Sequence, residues 1–141
     1  MSEGQIKDLL AKSKNIAVVG LSKEPEKDSN KVSVYLQQHG YRIIPVNPLV
    51  EQVLGEKSYK SLLEIPMEIQ KTIDIIDIFR KAADTPLIVE QVIQLKTQLG
   101  RSFVIWMQLG IINEQAAEMA KSNGLIVVMD KCLMIEHQRL T

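Results

Sequence analysis

Five short segments carry the residues able to hold an anion or let a long ligand pass: Gly20-Leu21-Ser22, Val46-Asn47-Pro48, Phe79-Arg80, Gln108-Leu109-Gly110 and Asp130-Lys131-Cys132. Gly20 lets the backbone turn sharply and approach a ligand, and Ser22 adds a hydroxyl and an N–H. Lys31 and the N–H groups near Asn30 fall at a helix start, where unpaired donors and the positive end of the dipole suit phosphate. Arg80 is a rigid cation able to fork onto phosphate, with the ring of Phe79 beside it to cover an adenine. Gln108 offers an amide to an amide-bearing ligand, and Gly110 permits close passage of a ligand chain. Cys132, the one cysteine, is either a thiol within reach of a bound thiol arm or an inert, packed side chain.

Other chemistries find less support. The first turn reads Val19-Gly20-Leu21-Ser22-Lys23-Glu24-Pro25, so the dinucleotide pattern G-x-G-x-x-G is lost after its first glycine. An NAD site usually places an acid on the ribose diol at the end of the second strand; here neutral Asn47 precedes Pro48. That is compatible with NADP or with coenzyme A, whose ribose is phosphorylated, although Asn-Pro also starts ordinary turns. Asp74 and Asp77, three residues apart in a strand, point to opposite faces and cannot act as a pair. His39 precedes a helix-ending glycine where a cation suits the dipole, and His137 reads as a capping or surface group with no partner for base catalysis. Metal-ligand spacing, a P-loop lysine, a nucleophile elbow and a basic run with interleaved aromatics are all missing.

These segments need a frame that brings them to one edge. Apolar runs alternate with stretches of helical spacing along the whole chain, the pattern of parallel strands joined by crossover helices. Strands are expected at Ile16 to Val19, Tyr41 to Val46, Ile73 to Phe79, Phe103 to Met107 and Leu125 to Met129, the first of them in the centre. Ser2, Ser29 or Asn30, Asp84 or Thr85 with Pro86, and Asn113 can open helices, and a short helix follows from Leu133. Pro45 removes a ladder donor and belongs where its N–H would face no partner. Between Leu49 and Lys71 the pattern is poor, with a turn at Gly55 and a short helical piece from Ser61 to Leu63. The expected fold is α/β: a doubly wound, mainly parallel five-stranded Rossmann-like sheet with helices on both faces. Its ligand crevice lies beyond the carboxyl ends of the strands, where the five segments fall.

Composition fits one domain over residues 1–141. A 45% hydrophobic content fills a core without staples, and 17 basic against 17 acidic residues leave no net field for nucleic acid or an anionic membrane. A single cysteine and no apolar run near the ~20 residues of a membrane span give the expectation of a cytoplasmic protein.

Taken in order, Ala17 to Ser22, Ile44 to Pro48, Ile78 to Arg80, Trp106 to Gly110 and Val128 to Cys132, followed by Glu136-His137, closely resemble the stand-alone CoA-binding protein family. That family is itself similar to the N-terminal Rossmann-like domain of the succinyl-CoA synthetase α subunit. The resemblance implies that Gly20 and Ser22 hold phosphates and that Asn47 and Pro48 flank the nucleotide. Phe79 and Arg80 would close over it, Gln108 and Gly110 would line the pantetheine path, and Lys31 matches a phosphate role less firmly. It also implies the binding half only, because the synthetases' phosphorylated histidine lies in a following domain. The expected activity is therefore non-catalytic binding of coenzyme A or an acyl-CoA. The alternatives are an NADP-binding oxidoreductase or sensor and a subunit that supplies CoA to a separately encoded enzyme, and a homo-oligomer stays open.

Overall fold

Each apolar run becomes a strand of one parallel sheet in the computed structural model, which describes every residue from Met1 to Thr141. The sheet strands are β1 (Asn15–Val19), β2 (Arg42–Val46), β5 (Ile75–Ile78), β6 (Val104–Met107) and β7 (Ile126–Met129), ordered β2-β1-β5-β6-β7. A separate hairpin pairs β3 (Gln52–Val53) with β4 (Glu56–Lys57). The helices are α1 (Glu3–Lys12), α2 (Asp28–Gln38), α3 (Met67–Gln70), α4 (Thr85–Leu99), α5 (Glu114–Ser122) and α6 (Leu133–Leu140). None is long and apolar enough to cross a membrane.

Strand alternation sorts the core into two layers. Ala17, Val19, Ile76, Ile78 and Ile105 face Val89 and Val92 of α4 and Ala116 and Ala120 of α5. Ile16, Val18, Ile75 and Trp106 face Ile6 and Leu10 of α1, Val32 and Leu36 of α2 and Leu133 of α6. With both faces covered, the fold is the expected Rossmann-like α/β sandwich.

Local signals set several ends as expected. Ser2 forms a capping box with Gln5, and Asn113 caps α5 by accepting from Ala116 N–H at 2.9 Å. Arg42 donates inward to Lys14 while Asn47 donates outward to Tyr59, so alternation points the missing donor of Pro45 away from β1.

Three expectations change. The middle strand is β5, and β1 lies between it and β2. Helix α2 starts at Asp28 behind Lys27, without the cap expected from Ser29 or Asn30, because both side chains serve the preceding loop. Ser22 N–H donates to Ser29 Oγ at 3.0 Å, and Asn30 Nδ2 donates to the Ser22 carbonyl at 2.9 Å. The backbone donors of Asn30 and Lys31, expected to be free, both bond to the Lys27 carbonyl; the unpaired ones belong to Asp28 and Ser29. Finally, the weakly patterned stretch supplies more than loops. Beyond its hairpin, Tyr59 makes one parallel bridge to Val46, exchanging bonds with Asn47 N–H at 2.9 Å and the Pro45 carbonyl at 3.1 Å. A single bridge thus stands where a doubly wound sheet would carry another strand outside β2.

Candidate functional site

The chain leaves β1 toward β2 on one side and later crosses to β5 on the other, so the topological switch lies between the turns after β1 and β5. Gly20 and Phe79-Arg80 meet there. Gly20 has φ +91°, and a Cβ on it would lie 2.5 Å from the Phe79 carbonyl oxygen and 3.0 Å from Arg80 Cδ. Glycine at this position is therefore a requirement of backbone packing that holds the two turns together.

The next residues frame the rim. Leu21 is fully buried in the core, and its carbonyl accepts from Asn47 Nδ2 at 2.9 Å. Asn47 Oδ1 accepts from Leu49 N–H at 2.9 Å, so this one side chain ties the turn after β1 to the turn after β2. Ser22 Oγ accepts from Glu24 N–H at 3.1 Å, which leaves its hydroxyl hydrogen free to donate. Gly110 N–H donates to Asp130 Oδ1 at 2.7 Å, linking the turns after β6 and β7.

Two hollows open on either side of Arg80. The larger, about 500 Å³, is bounded by Asp28, Lys31 and Val32 of α2, by Phe79 and Arg80, by Gln108, Leu109 and Ile111, and by Cys132, Met134 and Ile135 at the start of α6. The smaller, about 240 Å³, includes Gly20, Val46, Pro48, Lys60, Arg80 and Asp84. A third hollow of about 650 Å³ continues from Pro48 and Lys60 along the β3-β4 hairpin. Lys31, Phe79, Arg80, Gln108 and Cys132 thus share one cavity, while Gly20, Val46 and Pro48 meet Arg80 in its neighbour. Leu21, Ser22, Asn47 and Gly110 line neither and act on the loops that do.

Sequence reasoning did not single out Asp28, Lys60, Ile111, Met134 or Ile135. Ile135, in the first turn of α6, and Leu109, just beyond β6, are large apolar residues exposed at the cavity. Lys60 lies in the weakly patterned stretch, which carries no signal for it.

The larger cavity combines groups that suit an anion with a largely apolar wall. The helices α2 and α6 both begin at it, so unpaired backbone donors and the positive dipole ends of both converge there. Arg80 pairs with Asp84 at 3.2 Å, but with side chains 46% and 40% exposed the pair is weak and leaves guanidinium donors available. Cys132, partly exposed, precedes α6.

One buried polar pair lies beneath the cavity. Asp77, flanked in the sheet by Val18 and Trp106, is fully buried, and Gln108 is 3% exposed. Gln108 Nε2 donates to Asp77 Oδ1 at 2.6 Å, while Asp77 Oδ2 has no partner. Burial pushes the Asp77 carboxyl up to about 7, the Gln108 bond pulling the other way. Asp74, at the other end of the strand, is bonded to backbone and remote from this pair. Trp106 is fully buried in the core, with its indole N–H donating to the Lys131 carbonyl at 2.8 Å.

His137 is not a cap or a surface group. Its Nδ1 lies 2.6 Å from the Tyr35 hydroxyl, and its ring packs edge-on against Tyr35, His39 and Tyr41. Burial, then nearby His39, lowers its pKa. The 102-residue separation from Tyr35 hid this contact from the sequence.

A Rossmann-like sheet with helix N-termini, Lys31 and Arg80 gathered at its carboxyl edge defines a nucleotide-binding class of protein. Within it, the chain belongs to the CoA binding domain family, whose model matches residues 14–138. The uncharacterized protein YneT of Bacillus subtilis is 40% identical over 136 residues, covering 96% of this chain and 94% of that protein. A solved structure, a hypothetical protein from Pyrococcus horikoshii, is 41% identical with a TM-score of 0.88, over 99% of this chain and 92% of that one. The α subunit of an ADP-forming acetate–CoA ligase from Pyrococcus furiosus is 39% identical over 64 residues, 45% of this chain and 14% of the ligase subunit.

Proposed function

We propose that this protein binds coenzyme A or an acyl-CoA in the cavity between α2, α6 and the turns after β5 and β6, and performs no chemistry on it. The observation that carries this reading is the convergence of two helix N-termini, Lys31 and Arg80 on one cavity whose remaining wall is largely apolar. Coenzyme A has the matching parts: phosphates, an adenine and a long arm with amides and a thiol. The Asp28 and Ser29 N–H groups, Lys31 and Arg80 would hold phosphates. Phe79, Leu109 and Met134 would cover apolar parts, and Gln108 would meet an amide of the arm. The turn-framing roles of Gly20, Ser22, Asn47 and Gly110 make them supports of the site.

Binding without catalysis rests on the surroundings of the candidate nucleophile and base. The side chain of Cys132 has no hydrogen-bonded base, and His137 is engaged by Tyr35. Relatedness to a ligase subunit also favours a protein partner that receives or hands on the bound CoA. Leu87, Leu109, Ile112 and Ile135, all exposed around this rim, supply apolar surface for one.

The test is thermal unfolding with CoA, acetyl-CoA, palmitoyl-CoA, NADP and NAD. A CoA species at about a hundred times its dissociation constant should add ~2.7 kcal/mol, a rise on the order of 10 °C for a chain of this size. A larger shift with NADP would replace the reading, and no shift with any CoA species would end it.

A further inference from the structure

The Asp77–Gln108 pair is the one place where a fully buried ionisable side chain touches a residue of the candidate cavity. A glutamine amide has two unlike ends: an oxygen that accepts and a nitrogen that donates. Here Nε2 is committed to Asp77 Oδ1 at 2.6 Å. The oxygen Oε1 accepts from no group of the protein, and it belongs to a residue that lines the cavity.

We infer that Asp77 is a positioning residue that fixes which end of the Gln108 amide is offered to the ligand, so that the cavity presents an acceptor and selects a ligand group bearing an N–H or O–H. The inference rests on the binding reading only for its ligand; the positioning itself is a property of the free protein. It follows from the chemistry of the two side chains. An ionised Asp77 can only accept, so it holds the amide with nitrogen toward itself. A neutral Asp77 can donate, and the amide is then free to turn over and present its nitrogen instead.

The neighbours leave this pair electrostatically simple. Across the sheet Asp77 meets Val18 and Trp106, and the helices on that face contribute Val32 and Leu133. The charged groups lining the cavity are Asp28 and Lys31 on α2 and Arg80 after β5, with Cys132 the titratable thiol, and α6 carries the buried Glu136. Glu136 is paired with Arg139 at 2.9 Å, and only burial and Gln108 act on the Asp77 carboxyl. Because that carboxyl titrates near neutrality, the orientation of Gln108 changes with pH.

The deciding measurement is on the ligand-free protein: side-chain amide resonances of Gln108 and the carboxyl carbon of Asp77, followed by NMR from about pH 5 to about pH 9. Both should move with one shared midpoint near 7, and Asp77→Asn should flatten the Gln108 curve. A Gln108 amide that ignores pH, or one that titrates unchanged in Asp77→Asn, overturns the inference. Binding supplies the second readout, with coenzyme A compared with adenosine 3′,5′-bisphosphate, which has phosphates but no amide arm. The ratio of their affinities should rise in favour of CoA by about three- to tenfold from low to high pH in the wild type, the worth of one hydrogen bond, and stay level in Asp77→Asn. A ratio that stays level in wild type also overturns it. CoA failing to bind at any pH defeats the binding reading instead, and the Gln108 titration still decides the positioning.

Discussion

The two ends of the sheet treat their polar groups in opposite ways. At the amino end, Asp74 Oδ2 accepts from Lys14 N–H at 2.8 Å and Asn15 N–H at 3.1 Å, while Arg101 approaches Oδ1 at 3.7 Å. At the carboxyl end, three residues along the chain, Asp77 has a single partner and an orphaned oxygen, and helix donors beside it stand unpaired. One end is closed by mutual satisfaction. The other holds unused hydrogen-bonding capacity, which is costly when buried and is the usual mark of a site built for something else.

Substitutions that respect or cross this divide should sharpen it. The largest effect is expected at Gly20, where a Cβ would strike the Phe79 carbonyl. Gly20→Ala should lose about 3 to 5 kcal/mol in a denaturant titration. Gly110→Ala, also at positive φ but with open space around the new atom, should lose only about 1 kcal/mol. Equal losses would mean that the contact between the turns after β1 and β5 is not what fixes the switch point.

Asp77 comes next, with a sign opposite to that of a paired carboxylate. Its folded pKa, about 7, lies above the usual carboxylate value of 3.8, so the folded state keeps a proton that the unfolded state releases. The stability it contributes is complete below about pH 4 and is lost as pH rises through about 7. Asp77→Asn should therefore be more stable than wild type by about 2 to 4 kcal/mol near pH 8 and nearly equal to it near pH 4. A mutant destabilised at the higher pH would show that Asp77 is charged and well paired.

The smallest effects separate the ends by function. Arg80→Ala should leave stability within about 0.5 kcal/mol, its ion pair being exposed, yet weaken CoA binding about tenfold in calorimetry. Arg101→Ala, at the closed end, should do the reverse, costing about 1 kcal/mol or less in unfolding and nothing in binding. A binding loss at Arg101 would move the site to the wrong edge.

What the sequence disclosed followed the range of the interaction. Strands, caps and helix ends depend on neighbours in the chain, so Ser2, Asn113 and the five strand-end segments were readable. Strand order is not local, and the centre that an apolar first strand suggests for β1 belongs to β5. Ser29 and Asn30 have the right chemistry for caps, but Ser22 claims them across the loop. Gln108 shows its amide in the sequence, whereas its partner lies 31 residues earlier in a strand that otherwise reads as core. An isolated acid in an apolar run was visible; the residue it would hold was not.

The Tyr35–His137 contact has a mechanical consequence. It joins the third turn of α2 to the second turn of α6, and residues at the N-terminal ends of those same two helices line the cavity. The aperture is thereby braced from behind before any guest arrives. Little motional freedom is left for a guest to freeze out, so its grip is weakened less by ordering the host.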